Sequence, residues 1–185
     1  MTRAPDPPRP GDTPMPEPNP QTDADRSVLR DIATRGWHIV TVAERNDQPG
    51  WAFTIGLQRS FEHPEVIVFG LPGETNREIV GRVARDIAAG TSHPAGSTCD
   101  TILQGLACEF RAVARSWYET FLGYAVWYYG DRNFPVVQFL WPDSENRLPD
   151  RHDFDPDLAG LQPLLEHATA EAAGVTRLLH ALDKV

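Results

Sequence analysis

The sequence predicts an α+β fold: a mostly antiparallel mixed sheet of about five strands with helices packed on it, after a disordered proline-rich tail. Three observations predict it. Trp51, Phe53, Ile55 and Leu57 alternate with Ala52, Thr54 and Gly56, the period-2 pattern of a strand with a packed face. Val66-Ile67-Val68-Phe69 is apolar without a break and rich in β-branched residues, which suits a strand covered on both faces in the middle of a sheet. Ile79, Val83 and Ile87 lie beside Val80, Ala84 and Ala88 in one stripe at helical spacing. Strands and helices mix without strict alternation, so a purely parallel α/β sheet is not expected.

Residues 1–22 form the tail. Proline recurs at positions 5, 7, 8, 10, 14, 16, 18 and 20 among acidic and small polar residues, with almost no apolar surface to bury. Residues 23–185 are expected to make one domain. Its first helix is capped by Asp23 or Asp25, presents Val28, Leu29 and Ile32 on one face, and stops at Gly36. A strand follows over 37–43, and the turn-rich stretch 44–50 joins it to the 51–57 strand as an antiparallel hairpin. Residues 58–65 read as a loop beside the central 66–69 strand.

Thr75-x-x-Glu78 reads as a capping box opening the striped helix, which ends before Gly90. Residues 91–100 read as a loop. A strand over 106–112 points Leu106, Cys108, Phe110 and Ala112 inward and Glu109 and Arg111 outward. Ser116-x-x-Glu119 is a second capping box, opening an aromatic helix with Trp117, Phe121, Tyr124 and Tyr128 on its buried stripe and Gly130 at its end. The last strand spans 135–143. Residues 162–165 are an extended anchor before a C-terminal helix with Val175, Leu178, Leu179 and Leu182 on its apolar face.

Composition narrows the function classes. The formal net charge is −9 without a Lys/Arg cluster, so phosphate backbones are repelled and nucleic acid is not an expected partner. No apolar run is long enough to span a membrane, and the N-terminus has no apolar core of a secretory signal, so the expected location is the cytoplasm. Cys99 and Cys108 lack a CxxC spacing and are expected to be reduced thiols.

Phe53-Thr54-Ile55-Gly56-Leu57, then residues 64–71, then Gln138-Phe139-Leu140-Trp141-Pro142-Asp143 make an ordered set of motifs. Over roughly residues 28–165 the chain resembles the bacterial proteins grouped as domain of unknown function 4262, with Phe53 where tyrosine is more usual and Ser144-Glu145-Asn146-Arg147 where a glycine-containing turn is usual. The resemblance implies a fold and carries no activity.

The motifs also supply the candidate site. His63, Glu65 and Asp143 are the candidate catalytic residues, two carboxylates with an imidazole to carry a proton. Thr54, Gly56, Gln138 and Trp141 are the candidate ligand-binding residues. If the 66–69 and 137–141 strands are antiparallel neighbours, His63 and Glu65 at the start of one meet Asp143 at the end of the other. The competing expectation is that Glu65 and Asp143 cap local backbone, each in its own turn. His63, Glu65, His93, Asp100, Asp143 and His152 have neither HxH nor HExxH spacing, so no metal site is expected. No nucleophile elbow and no phosphate-binding glycine motif occurs, and no cofactor is identified. The leading expectation is a small-ligand or protein-interaction module with a polar pocket near the His63-Pro64-Glu65 loop. The alternatives are a small-molecule enzyme using His63, Glu65 and Asp143, and a flavin-binding barrel.

Overall fold

The computed structural model describes residues 18–45 and 48–167. The element order is α1 (Asp23–Arg35), β1 (His38–Val42), β2 (Trp51–Ile55), α2 (Leu57–Phe61), β3 (Glu65–Phe69), α3 (Gly73–Ala88), β4 (Thr98–Cys99), β5 (Cys108–Ala112), a 3₁₀ turn (Arg115–Trp117), α4 (Tyr118–Phe121), α5 (Gly123–Tyr129) and β6 (Val136–Leu140). Residues 1–17 of the tail expected over 1–22, and the C-terminal helix expected around 175–182, lie outside the described residues.

The described strands form one open sheet in the order β1-β2-β3-β6-β5-β4. The fold is α+β with a mixed sheet, as the sequence indicates. β1 and β2 are an antiparallel hairpin with His38 opposite Ile55, and the chain turns back where Arg45 and Gln48 exchange backbone hydrogen bonds. β3 lies inside the sheet and is buried at every residue. The described strands are in open order, with β1 and β4 at the ends, and do not close into the barrel of the flavin-binding alternative.

One pairing differs from expectation, and it governs the site. β3 and β6 run parallel, with Glu65 opposite Val136 and Val68 opposite Phe139. β5 pairs antiparallel with β6, and β4 antiparallel with β5. Residues 70–135 carry the chain across the sheet and back, which brings β6 in beside β3 in the same direction.

The sheet separates two apolar layers. Trp51, Phe53, Ile55, Ile67, Phe69 and Val136 pack under α1, α4 and α5. Ala52, Val66, Val68, Phe110, Val137 and Phe139 pack against α3 through Ile79, Val80, Val83, Ala84 and Ile87. The all-buried pattern of β2 follows: both faces of the strand are covered, although its sequence alternates in size.

Helix ends show where local rules misplace a cap. α1 is capped by Thr22, not by Asp23 or Asp25. The Thr22 hydroxyl accepts from the Asp25 N–H at 3.1 Å, and the Asp25 carboxylate accepts from the Thr22 N–H at 2.9 Å. The Gln21 N–H, the strongest influence, and the Thr22 hydroxyl hold the Asp25 carboxyl below the usual range. The expected tail therefore reaches too far, since Gln21 and Thr22 belong to the start of α1. α3 begins at Gly73 after Pro72 with no side-chain cap, so Thr75 sits inside the first turn and the expected capping box is not formed. Asn76 secures this end instead, donating to the carbonyls of Leu71 at 2.7 Å and Gly50 at 3.2 Å. Thr22→Ala is expected to lower stability by about 1 kcal/mol. Thr75→Ala is expected to change it by less than about 0.5 kcal/mol. Urea denaturation of both variants checks the assignment, which fails if the ranking reverses.

The aromatic helix is broken, and the 3₁₀ turn before it has no side-chain cap bond at its start. Leu122, at φ −127° and ψ 25°, separates α4 from α5. The break resets the helical phase, so Tyr124 turns out to 37% exposure while Tyr129 is buried. Gly130 ends α5 at φ 77°. In β5, Cys108 and Phe110 are buried as expected, whereas Ala112, at the end of the same face, is exposed, against expectation.

Candidate functional site

Glu65 is fully buried at the start of β3 and gathers the first two motifs around one carboxylate. Its Oε2 accepts from the Thr54 hydroxyl at 2.5 Å. Its Oε1 accepts from the Gly56 N–H at 2.9 Å, the Gln58 N–H at 3.2 Å and the Tyr129 hydroxyl. Thr54 Oγ1 in turn accepts from the Val66 N–H at 2.9 Å. Burial pushes the Glu65 carboxyl above the usual range, while Thr54, Tyr129 and the two backbone donors pull against it. Burial and the neighbouring Glu65 push the Tyr129 phenol up as well, which keeps that hydroxyl a donor.

The donor set explains the motif. Gly56 is the N-cap of α2 and has no side chain to cap it, and a helix N-terminus leaves backbone N–H groups without partners inside the helix. Glu65, nine residues further on, takes two of them. Glycine is required at position 56 because φ is 110° there and an added Cβ would lie 2.8 Å from the Gly36 carbonyl oxygen.

His63 sits in a different setting. One ring nitrogen, Nδ1, is 2.8 Å from the Pro64 carbonyl oxygen, and Nε2 accepts from the His93 N–H at 2.9 Å. His93 stacks on Phe110 with centroids 4.7 Å apart, and its buried Nε2 has no hydrogen-bond partner among the described residues. Burial depresses both imidazoles, with the neighbouring His63 adding to the effect at His93 and Asp86 opposing it. Among the described residues His63 and Glu65 share no hydrogen-bond partner: His63 turns to His93, which stacks on Phe110, and Glu65 turns to Tyr129.

Asp143 lies at the other end of the sheet. It accepts from the N–H groups of Glu145 at 3.0 Å, Arg147 at 2.9 Å and Asp155 at 3.2 Å, and from Arg147 Nε at 2.7 Å. Burial pushes its carboxyl up, but Arg147 and the other donors outweigh that and hold it below the usual range. The expected meeting of Asp143 with His63 and Glu65 assumed antiparallel strands. Parallel pairing puts the two starts together, and on the order of 20 Å of extended chain then separates Glu65 from Asp143. Asp143 organises its own turn.

Gln138 and Trp141 hold the chain's last described stretch. Gln138 donates to the Pro163 carbonyl at 2.7 Å and accepts from the Leu165 N–H at 3.1 Å. Gln162 takes both the N–H and the carbonyl of Trp141, whose indole N–H donates to the Phe69 carbonyl at 2.8 Å. Residues 162–165 are thus the anchor the sequence suggests. Of the candidate ligand-binding residues, Thr54 and Gly56 meet at Glu65, while Gln138 and Trp141 serve this anchor.

Sequence reasoning missed Tyr129 and Arg59. The helix break hides Tyr129. Arg59, one turn into α2, extends over the Tyr128 ring at 5.1 Å, with Nη1 3.4 Å from the Tyr128 hydroxyl. It lies on a groove of about 300 Å³ lined by Pro18, Leu29, Ile32, Ala33, Arg59 and Tyr128. No ion pair among the described residues includes Arg59. Among the described residues, no three His, Cys, Asp or Glu side chains are grouped to hold a metal ion, and no helix is long and apolar enough to cross a membrane.

Fold and motifs together define an α+β domain whose signature residues buttress a short helix beside a central strand. The chain belongs to the family described as Domain of unknown function (DUF4262), whose model matches residues 31–155. No curated protein and no solved structure matches the chain.

The imidazole pair carries a pH prediction. A histidine whose folded pKa is depressed contributes stability above its unfolded pKa, about 6.5, and loses it as pH falls toward the folded value. The thermal midpoint is therefore expected to drop as the pH falls below about 6.5. His93→Phe should keep the stack on Phe110 and remove the unpartnered nitrogen, raising stability by about 1 kcal/mol at neutral pH. It should also make the acid limb shallower. Equal acid limbs in both proteins would assign the pH dependence elsewhere.

Proposed function

We propose that this chain is a small-ligand-binding module and that the groove between α1, α2 and α5 takes an organic monocarboxylate with an apolar body. The observation that carries this reading is Arg59, a guanidinium without a carboxylate partner among the described residues, set over an aromatic ring on the wall of a mostly apolar groove. Arginine pairs bidentately with carboxylates, and Leu29, Ile32 and Pro18 suit the ligand's apolar part. Leu29 also borders a second hollow lined by Asp23, Arg26 and Arg30; Arg26 is paired with Asp23 at 2.6 Å, which leaves the Arg30 guanidinium as the net positive charge on that side of α1. That charge and Arg59 make the local surroundings favourable to an anion although the whole chain carries a formal charge of −9. The Glu65 cluster holds the start of α2, and α2 sets the reach of Arg59.

Thermal-shift titration with benzoate and octanoate, against benzyl alcohol and octanol, tests the proposal. The carboxylates are expected to raise the midpoint at millimolar concentration and the alcohols are not, because binding to the folded state alone stabilises it. Arg59→Met, at an exposed position, should abolish the rise while leaving the unliganded midpoint in place. An equal rise in the variant, or no rise with either acid, overturns it.

A further inference from the structure

The two cysteines lie far apart from the groove in function and face each other across β4 and β5. Cys99 is the direct antiparallel partner of Cys108. Directly opposed residues in such a ladder have Cα atoms about 4.5–5.5 Å apart, inside the roughly 4.4–6.8 Å that a disulfide spans. Side chains of an opposed pair leave the sheet on the same face. Both residues are free thiols in this structure. Cys99 is half-exposed, with Sγ 3.1 Å from Thr101 Oγ1, whereas Cys108 is fully buried beside Phe110 and Phe139.

We infer that Cys99 and Cys108 are a dithiol pair that closes to an intramolecular disulfide by exchange with a small-molecule disulfide and reopens under a small thiol. The accessible Cys99 thiolate attacks one sulfur of the small disulfide, forming a mixed disulfide and expelling one thiolate. The Cys108 thiol then gives up its proton to the thiolate already expelled, and its sulfur attacks Cys99 Sγ, breaking the mixed disulfide and expelling the second thiolate, which takes a proton from water. Two protein thiols are oxidised and one small disulfide is reduced to two thiols, with no other electron acceptor. Burial and the adjacent Cys99 push the Cys108 thiol up to about 12, so Cys108 is a poor partner for outside reagents and reacts through its neighbour. Opposed strands hold their Cβ atoms about 4.5–5.5 Å apart and a disulfide about 3.8 Å. Closure therefore draws the two-residue edge strand β4 in, and a strained bridge of this kind is easily reduced.

The test uses the full chain, held natively in glutathione disulfide and then alkylated after denaturation. Wild type is expected to lose the mass of two hydrogen atoms, to keep no alkylatable thiol, and to give a linked peptide containing Cys99 and Cys108. Dithiothreitol should restore both thiols. Cys108→Ala is expected to stop at a stable glutathione adduct on Cys99, and Cys99→Ser to remain unmodified. A wild-type chain that stops at the Cys99 adduct, dimerises through Cys99, or retains both thiols overturns the inference.

Discussion

Glu65→Ala is expected to destabilise the protein by about 4 kcal/mol, the scale for breaking a buried hydrogen-bond network at its shared acceptor. The acceptor lost is shared by Thr54, Gly56, Gln58 and Tyr129, so four donors are left without it, three of them buried and that of Gln58 half-buried. An unpaired buried donor costs about 1–3 kcal/mol, and relaxation of the site keeps the total below the sum. Glu65→Gln preserves one acceptor oxygen and the side-chain volume, so its cost should be about half as large. Tyr129→Phe removes a single donor and should cost about 1 kcal/mol. Equilibrium denaturation should rank the variants Ala, Gln, then the tyrosine change, from most to least damaging. A Glu65→Ala protein within about 1 kcal/mol of wild type would mean that the carboxylate does not organise this end of the sheet.

Gly56→Ala is the second large effect. A residue with a side chain at φ 110° is strained by about 1–3 kcal/mol before any contact is considered. Its Cβ would also press on backbone, at 2.8 Å from the Gly36 carbonyl oxygen, and on Ile32 at 3.1 Å. Gly36 closes α1 and is itself at φ 92°, so α1 cannot retreat without losing its own end. A loss of about 3 kcal/mol or more is expected. Gly73→Ala is the control: the position is helical, its Cβ would meet Thr41 Cγ2 at an ordinary 3.7 Å, and no loss is expected. Equal stabilities for the two variants would remove the argument from conformation.

Most of the architecture was legible because burial leaves a periodic trace. The alternation over 51–57 and the unbroken run at 66–69 locate β2 and β3, and the stripe from Ile79 to Ile87 locates α3. Which strand lies beside which leaves no such trace. Residues 136–140 are apolar whether they run with β3 or against it, so the parallel pairing, and with it the separation of Asp143 from Glu65, could not be read from pattern. α2 escaped notice for a related reason. It spans only Leu57–Phe61, and its capping group is Glu65, outside the few residues in which local cap rules operate. Tyr129 was lost to the break at Leu122, because a period counted from Trp117 runs on through a helix that in fact restarts. The choice between pocket and turn for Asp143 falls to geometry, and its four donors lie within its own loop and the segment it holds.

The parallel pairing also sets the order in which this chain can assemble. α1, β1, β2 and β3 are contiguous in sequence and need nothing beyond Phe69 to pair. The other side of β3 waits for residues 136–140, and β6 must then enter between β3 and β5. During synthesis at about 5–20 residues per second, that side stays open for several seconds. Val66-Ile67-Val68-Phe69 presents unpaired backbone and uninterrupted apolar side chains throughout, the combination that recruits strands from other chains. The vulnerable species is the nascent, half-built sheet, and crowding of unfinished chains is its hazard, whatever the stability of the finished protein.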